Sequence, residues 1–357
     1  MTPERVTQAA DTMLRMIATR TLRRPRVLIV GCGDVGLRVL PLLRSRAASP
    51  RVIALTHHPE RAAELRAAGA SPIAGDLDAK RSLRRLAGIA PHVLHLAPPQ
   101  REGDTDRRTR ALLAALRAPR RSVARGAQAA VARHRTWRAS TFIVPDAPFG
   151  ATSRATSRVV PVRFVYASTT GVYGDCGGAL IDETRPARPD NERARRRVSA
   201  EEQLRHVGAR SGWRVSIVRI PGIYAENRLP LARIERAMPA LIERDDVYTN
   251  HIHADDLAAI LMRALGRGRA QRVVNASDDT DLRMADYFDR VADAYGLPRV
   301  PRITREEAET RLEPLTLSFM RESRRLCNAR MKHELGYALR HPTVDDFLRS
   351  RVGTTRR

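Results

Sequence analysis

Lysine is nearly missing from this sequence. Of 64 basic residues only Lys80 and Lys332 are lysines, so any chemistry that needs an ammonium group must use one of those two. The bias toward arginine matches a GC-rich coding sequence better than selection for guanidinium chemistry. Aromatic residues make up 4% of the chain, and the three cysteines, Cys32, Cys176 and Cys327, form no CxxC pair. That excludes a disulfide scaffold and a cysteine-rich zinc site, and it points to the reducing cytoplasm. No apolar run reaches the roughly 18 residues of a membrane span. The first 24 residues contain Glu4 and Asp11 and lack the apolar stretch of a secretory signal.

What is there is a basic chain of 357 residues, 43% hydrophobic, long enough for one large domain or two small ones. Its net charge of +25 is concentrated: residues 117–163 hold ten arginines against Asp146, and residues 349–357 hold four against no acid. The arginine-rich stretch has few interleaved aromatics beyond Trp137 and Phe142, so it reads as a solvated, mobile arm and argues against nucleic acid as a partner.

Short β-branched runs alternate with helical patterns. Arg26 to Val30 reads as a buried strand, and Val35 to about Arg46 as a helix that Pro41 should kink or shorten. Strands are expected at Arg51–Leu55, Ser71–Asp76, Val93–Ala97, Val162–Ala167, Val215–Ile220 and Arg272–Ala276. Helices are expected over Glu60–Ala68, Thr105–Arg117, Ala194–Arg210 and Asp255–Leu265. The alternation predicts an α/β fold, a doubly wound parallel Rossmann sheet with a small C-terminal substrate cap. Roughly 65 residues separate the fourth and fifth strands, far more than one crossover helix needs, which marks an insertion. The expected organisation is an N-terminal extension over 1–24 and a dinucleotide-binding core over 25–224, with the insertion at about 118–160. A cap follows over 225–349, interleaved with the last core helix and strand at 255–276, and 350–357 is a basic tail.

Gly31-x-Gly33-x-x-Gly36 follows the first strand and opens a helix. In that context the glycines permit a tight turn and let a pyrophosphate approach the helix N-terminus, so Gly31, Cys32, Gly33, Asp34, Val35 and Gly36 are candidate cofactor contacts. Cys32 itself reads as a small buried residue. The second strand ends in Thr56-His57-His58, with no acid at its tip to accept from a ribose 2′-hydroxyl, and Arg61 follows. His57 and Arg61 therefore favour NADP over NAD. His251 and His253, beside Asp255 and Asp256, have metal-ligand residue types, but their place before a helix fits a cap better, and no metal is expected.

Four further motifs follow in order: Gly75-Asp76-Leu77-Asp78, Ser168-Thr169-Thr170-Gly171-Val172-Tyr173-Gly174, Arg219-Ile220-Pro221-Gly222-Ile223-Tyr224, and Asn250-His251-Ile252-His253-Ala254-Asp255. Together they resemble the extended short-chain dehydrogenase/reductase superfamily, the NAD-dependent epimerase/dehydratase family, in a branch with an atypical glycine motif. The resemblance spans about Val27 to Leu348. It implies that Asp76 and Leu77 contact adenine, Ala97 and Pro98 pass along the cofactor ribose, and Pro221 and Ile223 flank the nicotinamide. It also implies that Thr169, with Ser168, bonds the reacting oxygen, and that Tyr224 and Arg228 meet the substrate.

One family feature has no counterpart. The Tyr-x-x-x-Lys pair should precede Glu201 or Glu202 on its helix. Counting back reaches Arg193 and Arg197 from the first and Ala194 and Val198 from the second, and no tyrosine has a lysine four residues later. The lysine normally lowers the tyrosine pKa for proton transfer, whereas arginine stays charged, leaving Tyr173 or Tyr224 as replacement phenols. Two functions stay open ahead of a third, a nucleic-acid-associated protein that uses the basic arm. One is an oxidoreductase, epimerase or dehydratase acting on a polar, nucleotide-sugar-type small molecule, and the other is a catalytically silent NADP(H)-binding sensor or regulatory module. The helices Thr105–Arg117 and Ala194–Arg210 would also allow a homodimer.

Overall fold

A computed structural model describes residues 24–46, 49–118 and 161–355. The N-terminal extension up to residue 23, the insertion from 119 to 160 and the last two residues of the basic tail lie outside the described residues. Seven strands form one parallel sheet: β1 (Arg26–Val30), β2 (Arg51–Thr56), β3 (Ser71–Ala74), β4 (His92–His95), β5 (Arg163–Thr169), β6 (Arg214–Ile220) and β7 (Arg272–Asn275). Their order across the sheet is β3-β2-β1-β4-β5-β6-β7. Order reverses between β1 and β4, which places the ligand crevice at the carboxyl ends of those two strands.

Alternation along each strand builds two cores. Val27 and Ile29 face α1 (Asp34–Arg44) and α5 (Ala254–Arg267), where Val39, Leu43, Leu257 and Leu261 complete one layer. Leu28 and Val30 face the opposite layer, built from α3 (Arg107–Arg117) and α4 (Glu192–Ser211) with Leu112, Leu116, Leu204 and Val207. A short helix, α2 (Ala62–Ala67), follows β2. α1 runs through Pro41, which sits on its exposed side, and stops at Arg44. α4 is highly charged, yet Ala194 and Ala200 are small enough to let it lie against the sheet, and Asn191 caps it by accepting from the Ala194 amide.

Beyond β6 the chain builds the smaller part. α6 (Met284–Tyr295) buries Tyr287, Phe288 and Val291 against Tyr224, Val344 and Phe347. Two-residue strands stitch this part together, Ala240–Leu241 running parallel to Arg302–Ile303. Two further parallel pairs tie it back to the sheet: Gly222–Tyr224 with His251–His253, and Leu180–Ile181 with Arg325–Leu326. The last helix, Val344–Thr355, continues into the segment expected to be a basic tail. No helix among the described residues is long and apolar enough to cross a membrane.

Candidate active site

The glycine loop is shaped by two different demands. Gly31 has φ +85°, and a Cβ there would lie 2.5 Å from the Ala97 amide nitrogen, so the turn and the end of β4 approach only because no side chain intervenes. Gly33 has an ordinary extended backbone, φ −85° and ψ −154°, and a Cβ there would meet nothing within 4 Å. It faces open space at the start of α1, a helix that begins without a capping side chain. Open space beside unsatisfied amides fits a pyrophosphate, so the residues present suit a dinucleotide.

Around this loop charges are tied down. Asp34 accepts from Arg38 at 3.2 Å and stands 3.5 Å from Arg228, while Arg38 also donates to Asp255 and Asn227. Arg228 stands beside Asp34 of the glycine loop and is not among the residues that line the cavity at Thr169, where the sequence expected it to meet substrate. Arg61 gives Nε and Nη2 to Glu64 and Nη1 to the Cys32 carbonyl. Cys32 is buried, and burial raises its thiol to about 11. His57 is exposed at the tip of β2 with its ring against His58. Asp76 turns the chain by accepting from the Asp78 amide, Leu77 is buried below it, and Arg108 joins Asp78 to the Pro98 carbonyl.

A groove of about 230 Å³ runs from this loop, lined by Val35, Leu96, Ser168, Thr169, Pro221 and Ile223 among others. It adjoins a cavity of about 340 Å³ that shares Thr169, Arg197 and Pro221 with it. The cavity is completed by Arg193, Tyr248, Thr249, Asn250, Met284, Phe319, Glu322 and Arg324. Thr169 Oγ1 accepts from the Gly171 amide at 3.3 Å, which leaves its hydroxyl proton free to donate.

Beneath Thr169 lies a buried ion pair. Glu201 accepts from Arg219 at 2.7 and 3.1 Å and from the Ser168 hydroxyl at 2.6 Å. Glu201 is buried and Glu202 exposed, so the register that counts back to Arg193 and Arg197 is the one the helix adopts. Ser168, expected to assist catalysis, has its proton committed to this carboxylate.

The phenols are redistributed as well. Tyr173 is fully buried and donates to Asn275 Oδ1 at 2.8 Å, while Arg219 covers its ring. Burial raises its pKa, and it is not among the residues that line the cavity. Tyr224 is 1% exposed, packed against His253 and Phe347, and burial followed by the nearby Asp278 pushes its pKa up. It touches neither the groove nor the cavity. The only phenol among the lining residues is Tyr248, its ring flanked by Arg283 and Arg325. No sequence pattern singles it out, since it stands in a two-residue strand between short turns.

His253 caps α5, its Nδ1 accepting from the Asp255 amide, and burial lowers it to about 4. His251 is buried against Tyr287. No group of three or more potential metal ligands occurs among the described residues.

The family model described as the NAD dependent epimerase/dehydratase family matches residues 27–277. No curated protein matches the chain. Among solved structures, a conserved protein of unknown function from Silicibacter pomeroyi is 25% identical, with a TM-score of 0.65 over 93% of this chain and 100% of its own. A nucleoside-diphosphate-sugar epimerase from Pseudomonas aeruginosa is 17% identical, with a TM-score of 0.65 over 93% of this chain and 97% of its own. A dTDP-glucose 4,6-dehydratase from Streptomyces venezuelae, solved as a double mutant with NAD bound, is 19% identical, with a TM-score of 0.64 over the same shares.

Proposed function

The chain belongs to the NAD dependent epimerase/dehydratase family, and from that premise we propose that it binds a nicotinamide dinucleotide and transforms a polar, nucleotide-sugar-type substrate. The observation that carries this reading is the continuity of the two hollows: a groove starting at the glycine loop opens at Thr169 into a polar cavity. The dinucleotide, when bound, supplies the hydride acceptor or donor. Gly33 leaves room for the pyrophosphate, and Pro221 and Ile223 shape the wall where the ring would lie. Thr169 donates to the reacting oxygen. Tyr248, the lining phenol, is the candidate to hand over the accompanying proton, because Arg193 and Arg197 do not titrate.

Arg61 supports NADP as the cofactor. Its pair with Glu64 is partly exposed, 31% and 47% for the two side chains. Such a pair contributes only about 0–1 kcal/mol, so a 2′-phosphate can compete for the guanidinium. A catalytically silent module is the second reading, favoured by the arginines on α4 where a proton relay would stand.

Titration with NADPH and NADH, followed by turnover of nucleotide sugars monitored by nicotinamide absorbance, tests the proposal. Binding is expected, with turnover that falls roughly 10²-fold in Thr169→Ala. No affinity for either dinucleotide would overturn it, and binding without turnover would select the silent module.

A further inference from the structure

The cavity beside Thr169 carries more positive charge than its protein partners neutralise. α4 presents four arginines in five residues, and their surroundings differ. Arg195 pairs with Asp104 at 2.7 Å and Arg196 with Glu192 at 3.3 Å, both away from the cavity. Arg193 and Arg197 rise from one face of the helix, four residues apart, and both line the cavity. Neither has a carboxylate within ion-pair distance among the described residues. Arg197 spends only Nη1 on the protein, donating to the Ala167 carbonyl at 2.7 Å and the Tyr166 hydroxyl at 3.1 Å. The Arg193 guanidinium lies 4.6 Å over the ring of Phe319. That ring lines the same cavity and is 49% exposed. The third guanidinium in the wall, Arg324, is already taken by Glu322 at 2.7 Å, and Asn191 holds the other oxygen of that carboxylate.

Two like charges one helical turn apart repel each other. A ligand oxyanion would relieve that repulsion, and guanidinium forks suit it in geometry and charge. We infer that the substrate carries a carboxylate or a phosphate at its reacting end, held by Arg193 and Arg197 beside Thr169. The inference rests on the assignment of this cavity as the substrate site. It narrows the substrate to a molecule whose transformed end is itself anionic, a sugar acid or a sugar phosphate, and excludes one that presents only neutral hydroxyls there.

The test uses the full-length protein saturated with whichever dinucleotide it binds, so that the glycine-loop anion site is filled. Glucuronate, glucose 1-phosphate and glucose are titrated at fixed ionic strength by calorimetry. The anionic sugars are expected to bind and glucose to bind at least tenfold more weakly. Arg193→Gln and Arg197→Gln should each weaken the anionic sugars by roughly tenfold or more, with Arg195→Gln unchanged. Preference for the phosphate or for the carboxylate identifies which oxyanion the site prefers. Arg197→Gln also loses the bond to Ala167, so Arg193→Gln, which removes no hydrogen bond to the described protein, keeps the result decisive if the first variant unfolds. Anionic sugars binding no better than glucose, or wild-type affinity in Arg193→Gln, would overturn the inference while leaving dinucleotide binding intact. Loss of dinucleotide binding itself would instead refute the reading on which it rests.

Discussion

Replacing Gly33 with valine should separate ligand binding from folding. The backbone there is extended, φ −85° and ψ −154°, so no left-handed strain opposes a side chain, and a Cβ would touch nothing within 4 Å. The fold therefore loses little, and fewer unfolded conformations compensate, so stability should stay within about 1 kcal/mol of wild type. The new methyl groups stand where a pyrophosphate meets the first amides of α1. Charge-assisted bonds of this kind contribute about 1.5–3 kcal/mol each, and losing two corresponds to more than roughly a hundredfold in Kd. Gly31→Ala is the matched control. Its Cβ would press on the Ala97 backbone at 2.5 Å with φ at +85°, so that variant should unfold at lower temperature. Circular dichroism melts with fluorescence titration of NADPH and NADH measure both effects. Undiminished binding by a folded Gly33→Val protein would show that the loop is only a turn, and its unfolding would show that the space beside Gly33 is not free.

Glu64→Gln should free Arg61 and strengthen NADPH binding several-fold while leaving NADH unchanged; equal gains for both cofactors would place Arg61 away from the 2′-phosphate. Glu201→Ala leaves Arg219 charged and buried, so chemical denaturation should report a loss of roughly 3–5 kcal/mol, against under 1 kcal/mol for Glu202→Ala at the exposed neighbouring position. Burial raises Asp278 to about 7 from its ordinary 3.8. A carboxyl whose folded pKa is raised stabilises the protein below the unfolded value and loses that contribution as pH climbs from about 4 to about 7, on the order of 4 kcal/mol in all. Asp278→Asn should flatten this part of the pH–stability curve, and an unchanged slope would refute the assignment.

The architecture was legible in the sequence because each strand is a short apolar run bounded by glycine, proline or charge. All seven occur where expected, to within a few residues at their ends. Glu201 and Glu202 could not be told apart by pattern on a helix so rich in charge; only the packing of α4 on β5 and β6 buries one of them. Tyr173 and Tyr224 were expected at the site because they adjoin its motifs, but adjacency says nothing about which side of the backbone a side chain takes, and both are buried away from the groove and cavity. Arg228 was drawn to Asp34 by a charge nearly two hundred residues earlier in the chain. Tyr248 lies in a two-residue strand, Phe319 in a seven-residue helix and Glu322 just beyond it, none with a readable periodicity, and only the folded chain gathers them around Thr169.

The neighbours β4 and β5 carry a kinetic consequence. They pair strand to strand, His95 beside Tyr166, yet residues 96–162 separate them along the chain. A parallel pair cannot form as a local hairpin, so the centre of the sheet must wait for a distant segment to return. Closing a connection of that length, compared with one lacking residues 119–160, costs an additional amount of only about 0.9 kcal/mol in chain entropy. The added length is therefore a small term in loop closure. Its weight falls on the encounter of β4 with β5: until that pairing is made, the apolar edges of both strands stay open to other chains, and the crowding of newly made copies governs how much of the protein reaches its native state.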